Sequence, residues 1–178
     1  MFTILAFGNS LTAGFGVSPG DSFAGRLQQV LRERGQEVRV INGGVSGDTT
    51  YDGLRRLGLL LQHSPDLVIL EFGVNDFFMD MRPENIRTNL ESMIDSCHSR
   101  GAKVLLAGFL SLRQIDGKYE ESYHRIYEEI ARFKDVSLFP DFLPDIPQNP
   151  ELTLPDGIHP NETGIDKIVQ EIVPFVQL

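Results

Sequence analysis

Short apolar runs along the chain alternate with longer segments in which apolar residues recur at helical spacing. The runs predict five β-strands, at Phe2–Phe7, Val38–Ile41, Leu67–Phe72, Val104–Phe109 and the less apolar Val136–Phe139. All but the second are nearly continuous in apolar residues, which is typical of parallel strands buried on both faces. The alternation of strands and helices therefore predicts a parallel sheet with helices on both sides.

Five apolar stripes at helical spacing predict the helices. They consist of Phe23, Leu27, Val30 and Leu31; Leu54, Leu57 and Leu61; Ile86, Leu90, Met93, Ile94 and Cys97; Tyr119, Tyr123, Ile126, Tyr127 and Ile130; and Ile165, Ile168, Val169 and Ile172. Gly35 and Gly101 are expected to end the first and third helices, and Pro65 follows the second. The pattern predicts a single domain over residues 1–178, with a flavodoxin-like three-layer α/β/α fold and a five-stranded parallel sheet in the order 2-1-3-4-5.

In that strand order, the loops after strands 1, 2 and 3 meet at the carboxyl edge of the sheet, where ligands bind in such folds. The three loops read FGNSLTAG, NGGVSGDTT and FGVNDFF, and each is polar and rich in glycine. A further irregular segment, from Pro140 to Pro160, holds six prolines and ends in LPDGIHP. Loops of that length are commonly functional.

Charge and cysteine content exclude several classes of protein. The formal net charge is −9, and nucleic-acid binding requires clustered Lys and Arg. The pairs Arg32/Arg34 and Arg55/Arg56 are interpreted as solvated helix faces. The single cysteine, Cys97, excludes an internal disulfide, and its place in an apolar stripe predicts that it packs as a small hydrophobe.

The sequence contains no apolar run of eighteen residues, so no integral membrane contact is expected. It opens directly into MFTILAF, without the basic stretch and cleavage site of an export signal. We expect a soluble protein, cytoplasmic as the chain stands, and periplasmic or secreted if a signal peptide preceded it. The oligomeric state is left open.

Ser10 directly follows strand 1 and is a candidate nucleophile. A serine hydroxyl needs a base within hydrogen-bond reach, and that base must be held in one tautomer by a third group. His159 is the favoured base, because the other three histidines fall in or at the end of predicted helices. Asp156 precedes His159 by three residues across Gly157, in a turn that lets the carboxylate fold back onto the imidazole.

Acyl transfer also requires hydrogen-bond donors for a developing oxyanion. The backbone N–H groups of Ser10 and Gly47 and the side-chain amide of Asn75 are candidates. Taken singly, each is an ordinary loop residue, and their convergence on one edge of the sheet is what favours this chemistry. Asp76 is expected to brace its loop and not to react.

These residues resemble those of the SGNH hydrolases, also called GDSL esterases and lipases, and among them the small bacterial acyl-CoA thioesterase I, lysophospholipase and arylesterase group. The matching blocks are Ser10 in GNSLTAG, Gly47 in SGDTT, Asn75 in GVND and Asp156/His159 in DGIHPN. The resemblance implies a Ser10 nucleophile, a His159 base, an orienting Asp156 and an oxyanion hole from Ser10, Gly47 and Asn75. It also implies hydrolysis through an acyl-enzyme at a shallow site, with no metal and no cofactor.

The chain departs from the pattern of this family at two places. Asn9 stands where the family usually has aspartate, so the block reads GNSL, and we expect activity to survive. The segment FLSLRQIDG lacks a proline-rich piece that is common there, which affects the expected shape of the acyl pocket.

Apolar residues after strands 3 and 4 favour an apolar acyl or aryl substrate. The predicted substrate-binding residues are Phe77, Phe78, Met79, Phe109 and Leu110, followed by Leu112. The alternative is that these side chains belong to the core at the ends of elements. The expected partner is a small-molecule ester or thioester.

Three other functions are consistent with parts of the sequence. A carbohydrate O-deacetylase would use the same machinery on another ester. A flavodoxin-like protein would bind phosphate or flavin through GNSLTAGFG, but it leaves Asp156 and His159 unexplained. A metal site at Asp156 and His159 lacks an evident third ligand.

Overall fold

Five parallel strands form a sheet in the order β2-β1-β3-β4-β5 in the computed structural model, which describes residues 1–110 and 121–178. The strands are β1 (Phe2–Gly8), β2 (Val38–Gly44), β3 (Leu67–Glu71), β4 (Lys103–Ala107) and β5 (Ser137–Phe139). The flavodoxin-like strand order predicted from the sequence is confirmed, and each predicted strand is present with ends that differ by at most three residues.

Helices cover both faces of this sheet. They are α1 (Ser10–Ala13), α2 (Phe23–Glu33), α3 (Thr50–Leu60), α4 (Val74–Phe78), α5 (Pro83–Ser99), α6 (Glu121–Lys134) and α7 (Glu162–Ile172), with short 3₁₀ turns at Leu61–His63 and Val173–Phe175. One layer is formed by α2 packed on α7, and the other by α3, α5 and α6 packed in series. The stripe residue Tyr119 lies outside the described residues.

Two short helices, α1 and α4, were not predicted. They follow β1 and β3 directly, at the carboxyl edge of the sheet. Both are too short to show an apolar period, so their residues were predicted to be polar loops. Their consequence is that Ser10 and Asn75 lie in the first turns of helices.

The core lies between the sheet and the two helical layers, and the irregular segment before α7 contributes to it. Residues 140–161 contain no helix or strand, as predicted, apart from isolated bridges at Asp141, Thr153 and Pro160. Three of its side chains, Phe142, Leu143 and Ile146, have no solvent exposure. Burial of these side chains stabilises the segment, because each removes a large apolar surface from water. The segment that carries Asp156 and His159 is thereby fixed to the body of the protein.

Among the described helices, none is both long and apolar enough to cross a bilayer. Cys97 is buried and free, as its stripe predicted. Burial raises the pKa of its thiol to about 12. Since the thiolate is the reactive form of cysteine, this residue packs and does not react.

Candidate active site

The turn between β1 and α1 places Ser10 at the carboxyl edge of the sheet. Asn9 caps α1, and its side-chain Oδ1 accepts a hydrogen bond from the Leu11 N–H at 3.0 Å. Such a cap satisfies one of the N–H groups that the first turn of a helix leaves without a partner. Ser10 is therefore the first residue of a capped helix, and only 8% of its surface is exposed.

A continuous chain of hydrogen bonds joins Ser10, His159 and Asp156. The Ser10 Oγ lies 2.9 Å from His159 Nε2, and His159 Nδ1 lies 2.6 Å from Asp156 Oδ2. A carboxylate only accepts hydrogen bonds, so Nδ1 carries the proton and Nε2 is left to accept from the serine hydroxyl. This arrangement can remove the hydroxyl proton of Ser10 as its oxygen attacks an acyl carbon.

The turn from Asp156 to His159 holds the carboxylate against the imidazole. Gly157 adopts a left-handed conformation with φ of +71°, which lets the chain reverse within three residues. The second carboxylate oxygen, Oδ1, accepts from the backbone N–H groups of Ile158 and His159, both at 2.9 Å. Burial opposes the charge of Asp156, but these hydrogen bonds and the imidazole outweigh it and lower the pKa of the carboxyl group. Asp156 is therefore ionised at neutral pH.

Gly47 and Asn75 lie in the neighbouring loops at the same edge of the sheet. Gly47 has φ of +88°, a conformation that L side chains rarely adopt, and a Cβ atom there would meet no heavy atom within 4 Å. Asn75, in the first turn of α4, donates from Nδ2 to the carbonyl oxygen of Asp48 at 2.8 Å. An amide nitrogen has two hydrogens, so this bond orients the side chain and leaves one N–H available.

Asp76 braces α4 against α3, as predicted. Its carboxylate accepts from the Thr50 N–H at 2.9 Å and from the Thr50 hydroxyl at 2.5 Å. Asp76 has no solvent exposure, and its burial raises the pKa of the carboxyl group. Asp76 is thus held against α3 and is not exposed at the surface of the site.

The chain is similar in sequence and fold to known hydrolases. The family model of the GDSL-like lipase/acylhydrolases matches residues 6–167. The chain belongs to this family. An arylesterase from Vibrio mimicus is 39% identical over 175 residues, which are 96% of this chain and 88% of that protein. The thioesterase 1/protease 1/lysophospholipase L1 of Escherichia coli K12 is 30% identical over 98% of this chain and 85% of its own.

Among solved structures, the crystal structure of TesA has a TM-score of 0.91 and 34% sequence identity, and the match covers 97% of this chain and 96% of that one. These findings confirm the resemblance on which the sequence analysis relied. They identify the protein as a carboxylic ester hydrolase.

In this GDSL-like hydrolase, a buried carboxyl group lies directly beneath the serine turn. Glu71 ends β3 and has no solvent exposure. It accepts hydrogen bonds from the side chain of Asn9 at 2.7 Å, from the Asn9 N–H at 3.2 Å and from the Thr12 hydroxyl at 2.7 Å. Burial raises the pKa of Glu71 to about 8, against the opposing effect of those hydrogen bonds.

Glu71 was not predicted to be part of the site. A signal was present in the sequence, because Glu71 is a charged residue within the apolar run LVILEF. Charged side chains are almost never buried without partners, so a buried Glu71 would have indicated polar partners nearby. Gly8, its register neighbour on β1, leaves room for the carboxyl group, since a Cβ atom on Gly8 would lie 2.3 Å from Glu71 Oε2.

The position of Arg56 differs from the one predicted. Its pair with Arg55 was interpreted as a solvated helix face, but the Arg56 side chain is only 23% exposed and its guanidinium joins three segments of the site. It donates to Asp48 Oδ2 at 2.6 Å, to the Gly43 carbonyl at 2.7 Å and to the Gly8 carbonyl at 2.9 Å. Arg56 thus ties the ends of β1 and β2 to the loop of Gly47. Helical spacing alone could not predict which acceptors the N–H groups of the Arg56 guanidinium reach.

The five predicted substrate-binding residues separate into two groups. Phe78, Met79 and Leu110 are 45%, 66% and 38% exposed and can contact a ligand. Phe77 and Phe109 are 7% and 0% exposed and pack in the core, as in the alternative that the sequence left open, so their contact with a substrate stays a prediction. Leu112 and most of the segment FLSLRQIDG lie outside the described residues.

Proposed function

We propose that the protein hydrolyses carboxylic esters or thioesters of acyl or aryl type through an acyl-enzyme on Ser10. The observation that carries this proposal is the hydrogen-bond chain from Ser10 Oγ through His159 to Asp156. Nucleophile, base and orienting carboxylate stand in the order that acyl transfer requires. No other side chain is needed to explain the activation of the hydroxyl.

In the first step, Ser10 Oγ bonds to the acyl carbon while its proton passes to His159 Nε2. The resulting imidazolium is stabilised by Asp156 and then donates the proton to the departing alcohol or thiol as the carbon–oxygen or carbon–sulfur bond breaks. In the second step, water attacks the acyl-enzyme, loses a proton to the same nitrogen, and releases the acid and the free serine.

The oxyanion of each tetrahedral intermediate is stabilised by the Ser10 N–H, the Gly47 N–H and the free amide hydrogen of Asn75. The N–H groups in the first turn of a helix lack acceptors within it, and Ser10 is the first residue of α1. Asn75 is held in position by its bond to Asp48. Donors that are fixed before the reaction need no reorganisation as charge develops.

The substrate carries an apolar acyl or aryl group. Phe78, Met79 and Leu110 are exposed apolar side chains on the segments after β3 and β4, and a relative that matches most of the chain is an arylesterase. We expect kcat/KM on p-nitrophenyl butyrate and phenyl acetate to exceed release of acetate from acetylated xylan. Palmitoyl-CoA in the same panel distinguishes a preference for long thioesters from a preference for short esters.

The nucleophile is tested with Ser10→Ala. This variant should lose at least three orders of magnitude of p-nitrophenyl acetate hydrolysis while its melting temperature stays near that of the parent, because only the attacking oxygen is removed. Ser92→Ala, a helix-surface serine bonded to the Thr88 carbonyl, is the matched control and should remain fully active. An organophosphate should add its mass to the parent and to Ser92→Ala but not to Ser10→Ala. Near-normal turnover by pure Ser10→Ala would contradict the proposal that Ser10 is the nucleophile.

A further inference from the structure

An exposed aromatic ring lies against the face of the candidate base. The ring centroids of Phe15 and His159 are 4.4 Å apart, and the two planes are inclined by 35°. Phe15 is nevertheless 49% exposed. A phenylalanine side chain that stays half-exposed gains less free energy from burial than a core residue does. Burial alone therefore does not explain its contact with His159.

The backbone on both sides of Phe15 is shaped to hold the ring there. Gly14 and Gly16 have φ of +86° and +79°, which are left-handed conformations suited to glycine. The Phe15 N–H donates to the Ser10 carbonyl at 3.1 Å, so the backbone that carries the ring is held against α1. A turn with two left-handed residues returns the chain over the site directly after the serine helix.

This turn also packs against the segment that carries the base. A Cβ atom on Gly16 would lie 2.5 Å from the Leu154 side chain, and the Leu154 N–H donates to the His159 carbonyl at 2.8 Å. The serine helix and the histidine segment are therefore in close contact beside the ring pair. Phe15 is positioned by both of the segments whose alignment the proton transfer needs.

The imidazole of His159 thus has three neighbours with different roles. Ser10 Oγ lies at Nε2, Asp156 Oδ2 lies at Nδ1, and the Phe15 ring lies over the face. The two hydrogen bonds and the Cβ–Cγ bond hold the edge of the imidazole, and the tilted Phe15 ring packs against its face. The aromatic contact limits displacement of the imidazole toward that side.

We propose that Phe15 is a positioning residue that holds the His159 imidazole in the plane joining Ser10 to Asp156 and stabilises the imidazolium formed during acyl transfer. The inference rests on the proposed function, since it assigns His159 as the base. The face of an aromatic ring carries partial negative charge and attracts a cation within about 6 Å of its centroid. When the Ser10 proton reaches Nε2, the ring therefore favours the charged imidazole over the neutral one.

The test compares Phe15→Leu with Phe15→Tyr and Phe15→Trp. Leucine retains an apolar cover but has no π face, so kcat should fall roughly three- to tenfold with KM unchanged. The acid limb of the kcat/KM profile should be displaced together with the fall in kcat, because the Phe15 ring contacts the imidazole that carries the transferred proton. Tyrosine and tryptophan should restore both values to within about twofold of the parent, since they keep the π face.

Phe133→Leu is the matched control, because Phe133 is an exposed phenylalanine on α6, 71% exposed. It should change neither kcat nor the acid limb. A rise in KM for aryl substrates with kcat and the acid limb unchanged would overturn the inference and make Phe15 a substrate contact. Loss of activity in Phe15→Tyr and Phe15→Trp equal to that in Phe15→Leu would overturn it as well. Failure of the proposed function is recognised separately, by activity in Ser10→Ala.

Discussion

The side-chain amide of Asn9 donates a 2.7 Å hydrogen bond to the carboxyl group of Glu71, directly beneath the serine turn. The same amide caps α1 through its oxygen. Both ends of the side chain are therefore used, and position 9 is the donor in its bond to Glu71. An asparagine supplies a donor and an acceptor together, whereas an ionised aspartate supplies acceptors alone.

The pairing with Glu71 predicts how Asn9→Asp behaves. Two carboxyl groups at hydrogen-bond distance cannot both ionise without repulsion, so they share one proton. Near pH 6 the variant should be folded, with kcat/KM within about tenfold of the parent, which is about 1.4 kcal/mol of barrier. From pH 6 to pH 9 its melting temperature should fall more steeply than that of the parent. Melting temperatures and kcat/KM across this range check both expectations.

The double variant Asn9→Asp/Glu71→Gln is the control for that prediction. It returns an amide donor to the pair and should recover the pH dependence of the parent. A melting temperature that falls equally in Asn9→Asp and in the double variant would show that repulsion between the two carboxyl groups is not the cause.

Glu71 also predicts a pH dependence of stability in the parent protein. Burial raises its pKa from 4.5 to about 8 in the folded state, so between those values the folded chain holds a proton that the unfolded chain has released. The free energy of unfolding is therefore highest below about pH 4.5 for this group and falls as pH rises through about 8. Glu71→Gln should show a shallower decline. Urea titrations of both proteins at pH 5, 6.5 and 8 measure it, and parallel curves would contradict the assignment.

Asp156→Asn should abolish most activity without unfolding the turn. The amide oxygen can still accept from the Ile158 and His159 N–H groups, but its nitrogen then faces Nδ1 as a donor. This forces the proton of the imidazole onto Nε2, where it blocks acceptance from Ser10. The corresponding change in a serine protease lowers kcat by about 10⁴, and we expect a loss approaching that size at pH 7.5. A loss of less than about tenfold, in a variant whose melting temperature is unchanged, would mean that Asp156 does not set the tautomer.

Asn75→Ala tests the proposed oxyanion donor. Removing one such donor costs about 10² to 10³ in kcat in a well-studied protease, and a loss of that order is expected here with little change in KM. The variant also loses the bond to the Asp48 carbonyl, so its melting temperature must be measured in parallel. Asn89→Ala, which removes a side-chain bond to Thr50 from α5, is the control and should retain kcat. Equal losses in the two variants would point to disturbed packing and not to a missing donor.

The sheet and the segments at its edge could be predicted because their signals are local or topological. Apolar runs give the strands, and the strand order brings the loops after β1, β2 and β3 together without any knowledge of side-chain contacts. The Asp156–His159 turn could also be predicted, because it consists of four consecutive residues that include a glycine.

The contacts beneath the site could not be predicted, because they depend on where single side chains reach in three dimensions. Arg56 resembles any polar residue on a helix until the carbonyls of Gly8 and Gly43 are seen at its guanidinium. Glu71 gains its role from a glycine on the neighbouring strand and from Asn9. Phe109 could not be distinguished from a pocket residue, because an apolar side chain at a strand end has the same sequence signal in either place.

The hydrogen bond between Ser10 and His159 joins residues 149 positions apart in the chain. The Ser10 hydroxyl has no base until the segment after β5 has docked against β1 and α1. Contacts between such distant residues form slowly, because the chain entropy of closing the loop must be lost before the contact stabilises it. Recovery of esterase activity after dilution from denaturant should therefore lag behind recovery of secondary structure and report completion of the whole fold.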